Sequence, residues 1–356
     1  MGSIRVISSA LRPPKLRSAG REAGRLALAF VGALTVFGAF VIAKGANPLT
    51  VYSDMVRSTF FNSNSVAGVL VKACPLILAA LAVAVPARAG LVNVGGEGQI
   101  VIGAVAAGGV GLALDTHVSG GMVIILMLLA GAAAGAIWAG IAGVLRLTLR
   151  VNEAISTLLL NYVAIDILLY LIYQPWKDPH GSGQPVTRQL AVPARLPLVG
   201  GTQVHVGIFI AIIATLVIWF LMERTSWGFR LRVVGGNSEA ARRAGLPVNK
   251  LLLSAMLVGG ALAGLGGMVH FAGAELQLRA GMTANLGYIA FLASWLARHK
   301  PINVAIAALL LASIAVAGDS LQINSGLPAA TVNVLMGLVL VAVMGGWELR
   351  RKAVAA

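Results

Sequence analysis

Stretches of apolar residues long enough to cross a bilayer recur along almost the whole of this 356-residue chain. A crossing takes about 20 mostly apolar residues for roughly 30 Å of hydrocarbon. Ten segments are candidates: residues 26–43, 66–86, 95–114, 121–145, 152–173, 204–222, 251–271, 284–297, 302–318 and 327–346. A backbone in lipid has no water to bond, so each span is expected to be a helix. The eighth is too short to cross unaided and is expected to be tilted, broken or re-entrant. Composition supports the reading. The chain is 58% apolar with 43 Gly and only 11% charged residues, against about 25% charged in an average soluble domain. A water-soluble fold of this size has too little interior to hide that much apolar side chain. An ordinary cytoplasmic enzyme, a disordered tail and a disulfide scaffold are excluded. The single Cys74 sits in an apolar run, and no internal disulfide is possible.

The net charge is +15, from 27 Lys and Arg against 12 Asp and Glu. In a soluble protein this excess points to nucleic acid. Here the charges segregate. With the N-terminus inside and ten alternating spans, 20 of the 27 fall on inner segments, as the positive-inside rule requires. Both termini are then cytoplasmic. The chain divides into a basic N-terminal segment (1–25), a transmembrane domain (26–349) and a basic C-terminal tail (350–356). The long basic stretch before the first span, with no A-x-A-like site after it, argues for a retained helix rather than a cleaved signal.

Two loops stand out. The outer one, 174–203, is rich in Pro and Gly and reads as irregular surface loop. The inner one, 223–250, reads ERTSWGFRLRVVGGNSEAARRAGLPVNK. Asn237 and Ser238 are N-cap types ahead of Glu239, Ala240, Ala241, Arg242 and Arg243. Gly245 supplies a helix stop and Pro247 forbids continuation. The spacing predicts a helix of about two turns over 238–244, with its dipole matched by Glu239 early and Arg242 and Arg243 late. Such a helix is too short to be stable alone in water. It either lies at the lipid headgroups or leans on another protein.

Polar residues inside the spans are costly, near +2.5 to +3.5 kcal/mol for a central Asp or Lys. Asn93, Glu97 and Gln99 lie among Gly90, Gly95, Gly96 and Gly98, which predicts a bent or broken segment. That segment either lines a path or is a small-residue packing seam with Glu97 paired structurally. Asn152 and Glu153 read as a cap and a dipole-favoured acid opening the fifth span. Asn161, with Leu158 and Ile165 on its face, is expected to point at neighbouring helices. Asp166 lies deeper and needs a partner or water. Gly259, Gly260, Ala263, Gly264, Gly266 and Gly267 read as a close-packing seam. His270 reads as a bonded structural group. Asp319, Gln322, Asn324 and Ser325 are expected in the last outer loop. A short match between Ala89-Gly90 with Asn93 and Ala280-Gly281 with Asn285 hints at an inverted repeat. No metal spacing occurs among the His residues. None of the seven Lys follows a Gly, so no phosphate-binding G-x-x-x-x-G-K-[ST] loop exists.

Several of these segments resemble one family. Glu239-Ala240-Ala241 with Gly245-Leu246-Pro247 is similar to the EAA-type coupling loop of ABC importer permeases. Gly228-Phe229-Arg230 and Val234-Gly235-Gly236-Asn237 look like its version in sugar, nucleoside and branched-chain amino acid permeases. GLVNVGGEGQIVIGA (90–104) and NEAISTLLLNYVA (152–164) resemble two further signatures of that branch. Cys74-Pro75-Leu76-Ile77-Leu78 resembles the nucleoside-type members. One departure is the missing acid in the run Gly287–Leu296. The resemblance implies an all-α polytopic membrane protein of about ten helices with type II-like importer architecture. It implies a permease of the cell membrane, most closely for nucleosides, with ribose-like sugars or amino acids as the alternative. An ion-coupled secondary transporter is the rival of another class. Asn237–Arg243 and Gly245 would couple to a separate cytoplasmic ATP-binding subunit. A second permease chain, identical or not, and an extracytoplasmic substrate-binding protein complete the implied assembly, with a small-molecule substrate and no nucleic acid. The chain itself needs no cofactor, because ATP is held by the partner. Candidate path residues are Asn93, Glu97, Gln99, Asn161 and Asp166.

Overall fold

The structure is a computed structural model and describes residues 17–181, 183–324, 326–328 and 330–342. The basic residues expected before position 17 and at 350–352 lie outside the described residues, as does Ser325. The described residues form helices and irregular connections, with only two isolated β-bridges. Thirteen α-helices follow one another: α1 (Arg17–Ala43), α2 (Pro48–Phe60), α3 (Ser63–Arg88), α4 (Gly96–Leu114), α5 (Gly120–Leu149), α6 (Glu153–Tyr173), α7 (Gly207–Arg224), α8 (Ser226–Gly236), α9 (Ser238–Arg243), α10 (Val248–His270), α11 (Leu286–Leu296), α12 (Pro301–Asn324) and α13 (Thr331–Ala342). Seven of them (α3, α4, α5, α6, α7, α10 and α12) are long and apolar enough to cross a membrane. The first expected span is α1, which turns through 114° into α2, a helix the apolar pattern does not announce. The eighth, α11, has 11 residues and rises only about 16 Å. The tenth is described only as Thr331–Ala342.

The chain falls into two compact units, one taking in residues up to Tyr52 and from Ala330 on, the other Ser53–Ala329. In the first, the Tyr52 hydroxyl donates to the Leu34 carbonyl across the α1–α2 turn, and its ring lies 6.2 Å from that of Phe37.

In the second unit α3, α4 and α10 are mostly buried, whereas α5, α6 and α7 bury one face each. Small residues explain how close these helices come. A Cβ built on Gly264 of α10 would stand 2.0 Å from the Gly131 carbonyl of α5, and one on Gly267 2.0 Å from the Ile100 carbonyl of α4. One on Gly259 would stand 2.7 Å from the Ala82 carbonyl of α3. The expected seam is therefore present and touches three helices, backbone to backbone. Beyond His270 the helix loosens into a π-turn over Phe271–Glu275. His270 Nε2 lies 2.8 Å from the Met282 carbonyl, a structural bond as expected.

The outer loop is less irregular than its Pro and Gly content suggests. Leu190 N–H donates to the Leu276 carbonyl (2.8 Å) and Leu196 N–H to that of Ala272 (2.9 Å), so it returns onto the end of α10. Asp115, buried just past α4, accepts both Arg188 amino groups (2.9 and 2.8 Å) and the Ala191 N–H (3.0 Å). The Arg188 guanidinium holds that carboxyl below the usual range. Asp319, Gln322 and Asn324 are on α12 rather than in a loop. No Pro lies within 302–324, and Gly318 alone is tolerated in the helix. Asp319 instead pairs with Lys72 of α3 at 2.6 Å.

Candidate functional site

The inner loop is two helices joined at a shared cap residue, Asn237. Thr225 caps α8, its Oγ1 accepting from Gly228 N–H (3.3 Å). Asn237 ends α8 and starts α9, its Oδ1 accepting from Ala240 N–H (2.9 Å). Helix α9, Ser238–Arg243, is one residue shorter than the expected 238–244. Gly245 follows in the left-handed region (φ +80°), the conformation the stop required. Glu239 pairs with Arg243 at 3.2 Å and Arg242 at 3.8 Å. Only Ala241 is buried; Ser238, Glu239, Ala240, Arg242, Arg243 and Gly245 are exposed.

Helix α8, read from the sequence as loop, is what fastens α9 to the spans. It buries Gly228, Leu231 and Val234, and Trp227 Nε1 donates to Ser254 Oγ of α10 (3.0 Å). Gly235, near its end, lies against the turn that closes α3. A Cβ on Gly235 would meet the Arg88 carbonyl at 2.4 Å, and one on Gly90 would meet Gly235 Cα at 3.3 Å. Gly90 also has φ +79°, so a side chain there is excluded twice. Glu223 adds an ion pair to Arg88 and another to Arg232 at 3.3 Å.

Behind that turn the chain is irregular through 91–95 before α4 begins. Leu91, Asn93 and Gly95 are buried and the backbone between them is partly so; buried backbone groups need partners, and α6 supplies several of them. Glu153 Oε1 accepts from Val92 N–H (3.1 Å) and Thr157 Oγ1 from Val94 N–H (3.2 Å). Asn161 Oδ1 accepts from Gly98 N–H (2.8 Å) while its Nδ2 donates to the Val94 carbonyl (3.1 Å). Positions 153, 157 and 161 are spaced four apart and share one helical face. That face, continued by Ala164 and Leu168, is the buried one; Leu158 and Ile165 are not on it, because Leu158 is 36% exposed. Asn152 is the cap expected, accepting from Ala154 N–H (2.8 Å). Glu153 goes beyond the expected dipole role, since it also pairs with Arg146.

Inside the break, Asn93 and Gln99 exchange two amide bonds (3.0 and 2.9 Å). Glu97 reaches the other way. One carboxyl oxygen accepts from Thr283 Oγ1, the other from Gly287 N–H (2.7 Å) in the first turn of α11. The starts of α4 and α11 touch, for a Cβ on Gly287 would stand 2.1 Å from Glu97 N. Two helix N-termini, each partly positive, therefore meet with a carboxyl group between them. The repeat hinted at by Gly90 and Gly281 has a conformational counterpart: both have positive φ (79° and 68°) ahead of these two helices. The structure thus brings Asn93, Glu97, Gln99 and Asn161 into one buried network. It leaves Asp166 outside, on the exposed face of α6 with Tyr162 and Tyr170. Sequence reasoning missed Glu153, Thr157 and Thr283 as members. The four-residue spacing of polar groups in 153–161 is the signal that finds the first two.

Residues 65–344 match the family described as the branched-chain amino acid transport system / permease component. Among similar proteins, the glucose ABC transporter permease protein of Haloferax volcanii is 36% identical over 328 residues, 89% of this chain and 86% of that one. The guanosine ABC transporter permease protein of Bacillus subtilis is 29% identical, covering 91% of this chain and 93% of its own. A nucleoside ABC transporter permease protein of Lactococcus lactis is 28% identical, with 86% of each chain covered. With the match taking in α3 to α12, the chain belongs to this family of ABC transporter permease components, as a multi-pass protein of the plasma membrane.

Proposed function

We propose that this chain carries nucleosides inward as the membrane path of an ATP-driven importer. The observation that carries the coupling half of this reading is α9: exposed, capped at both ends, and held through α8 and Gly235 against the turn before the polar break. A separate ATP-binding subunit seats on Ser238–Arg243, and its closure is passed through Arg88–Gly90 to the network of Asn93, Glu97, Gln99 and Asn161. ATP hydrolysis belongs to that subunit, since no phosphate-binding loop exists in this chain. An external binding protein delivers the substrate, and a second permease chain completes the path. Asp166, on the open face of α6 between Tyr162 and Tyr170, faces that path, because lipid disfavours a carboxylate there.

The guanosine and nucleoside permeases among its relatives support the substrate. A second reading, a hexose, is favoured by the 36% identity to the Haloferax glucose permease. Uptake of labelled guanosine, uridine, glucose and ribose by cells expressing the chain with its ATPase and binding protein decides between them. ATP-dependent guanosine or uridine uptake is expected. Uptake of glucose alone selects the second reading. Transport that survives without the ATPase and collapses with the proton gradient defeats both.

A further inference from the structure

With no residue of α9 in its lining, a cavity of about 430 Å3 opens between the end of α7 and the start of α12. Trp219, Glu223 and Arg224 line one wall, Lys300, Ile302 and Asn303 the other. The Arg224 guanidinium lies 5.6 Å from the Trp219 ring centre. Among the described residues neither Arg224 nor Lys300 pairs with a carboxylate. Glu223, the acid in the lining, is already engaged by Arg88 and Arg232. Among the described residues the cavity therefore offers two cations with no carboxylate partner. It also sits at the level of the helix ends, where Trp and snorkelling basic side chains mark the lipid headgroups. One turn deeper, the walls are apolar and open: Leu216 and Phe220 on α7 are 51% and 54% exposed, and Ile306 on α12 is 62% exposed.

A cationic mouth, an interfacial indole and an apolar slot leading into the bilayer are the parts that hold an anionic phospholipid. We propose that this cavity binds one anionic phospholipid of the cytoplasmic leaflet. Arg224 and Lys300 close on the headgroup phosphate, Asn303 bonds an ester or hydroxyl oxygen, and the acyl chains lie along Leu216, Phe220 and Ile306. A zwitterionic lipid brings a quaternary ammonium toward the same two cations and is disfavoured. The inference is independent of the transported substrate.

The test is native mass spectrometry of the purified full chain titrated with dioleoyl phosphatidylglycerol or dioleoyl phosphatidylcholine. One phosphatidylglycerol is retained in preference to phosphatidylcholine. A juxtamembrane basic residue contributes about fivefold to anionic lipid binding, so Arg224→Gln with Lys300→Gln weakens retention by roughly twenty- to thirtyfold. Arg230→Gln with Lys250→Gln, which removes the same charge from the same face, leaves it unchanged. Equal loss in both pairs would mean general electrostatic attraction and would overturn the site. Unaltered retention in the first pair overturns it too. The chain bound to its ATPase subunit keeps the lipid; loss there gives the cavity to the ATPase and ends the proposal. Size-exclusion profiles identify a misfolded variant, and Arg224→Lys, which keeps the charge, restores retention if the fold is sound.

Discussion

Two adjacent glycines give the proposed coupling route an internal control. Gly235 and Gly236 both end α8, but a Cβ on Gly235 meets the Arg88 carbonyl at 2.4 Å and the Ala89 carbonyl carbon at 3.1 Å, whereas one on Gly236 meets nothing within 4 Å. Ordinary carbon contacts begin near 3.4 Å, so Gly235→Ala forces α8 and the α3 turn apart by about 1 Å. The obstacle is backbone on both sides and cannot swing away. Overpacking of this kind costs typically 1–3 kcal/mol. Helix propensity works the other way, favouring Ala over Gly by about 1 kcal/mol. Gly236→Ala therefore gains slightly, and Gly235→Ala loses in spite of the gain. If closure of the ATPase reaches the spans through this contact, the loss appears in coupling, where 1–3 kcal/mol corresponds to about 5–150-fold. In proteoliposomes holding the complete importer, Gly235→Ala should cut uptake per ATP hydrolysed by about tenfold or more. Gly236→Ala should match wild type, with equal amounts of both variants in the membrane. Uptake by Gly235→Ala at the wild-type rate, or equal impairment in both variants, refutes the route through Arg88–Gly90.

Three further outcomes follow from the same geometry. Glu97→Ala removes the acceptors to which the buried Thr283 hydroxyl and Gly287 N–H now donate; each donor left unpaired costs about 1–3 kcal/mol, which should lower the thermal midpoint read by intrinsic fluorescence in detergent. Gly264→Ala places a Cβ 2.0 Å from the Gly131 carbonyl and should abolish recovery of folded protein, while Gly121→Ala, with nothing within 4 Å, should not change it. Burial pushes both His205 and His299 down to about 4, so the unfolded chain takes up protons below about pH 6.5 while the folded chain does not. Stability from both groups is complete above that pH and lost as the pH falls toward 4, and His299→Gln should flatten that slope in thermal scans from pH 7 to 4.5.

What could be read from the sequence was what the chain decides locally. The α9 cap and stop depend on Asn237 and Gly245 within a few residues of each other, and both signals are unambiguous. The glycines of α10 are close enough in sequence to mark a seam, though not which helices fill it. Helices α2 and α8 escaped because neither is apolar enough to resemble a span. Helix α8 also ends in two glycines, which argue for loop until Gly235 is seen against Arg88. The polar break was visible as a cluster, but not as a network, because apart from the local Asn93–Gln99 pair its bonds to α6 and α11 join residues about 60 to 190 positions apart, such as Val92 to Glu153 and Glu97 to Gly287. Asp319 was misplaced for a simpler reason: one acid near an apolar run's end was read as the end of the helix.

The two kinds of contact in the core differ in what they permit. Where Gly264 meets Gly131 and Gly267 meets Ile100, backbones pack with no room even for a Cβ, which would stand 2.0 Å from the facing carbonyl in each case. Such an interface moves as a block. Around 91–99 the α6 side of the joint is made of hydrogen bonds between the rotatable side chains of Glu153, Thr157 and Asn161 and the backbone, whereas on the α11 side Gly287 packs against the Glu97 backbone as closely as the seam does. On the α6 side such a joint can exchange one set of partners for another without opening a cavity, which a bistable element requires. The first residues to feel α8 through Gly235 are those of the joint, not those of the seam. On the proposed reading a push at α9 is therefore met, on the α6 side of the break, by hydrogen bonds that can exchange partners. On that same reading Glu153, Thr157 and Asn161 yield first, while Glu97 keeps the starts of α4 and α11 bonded through Thr283 and Gly287.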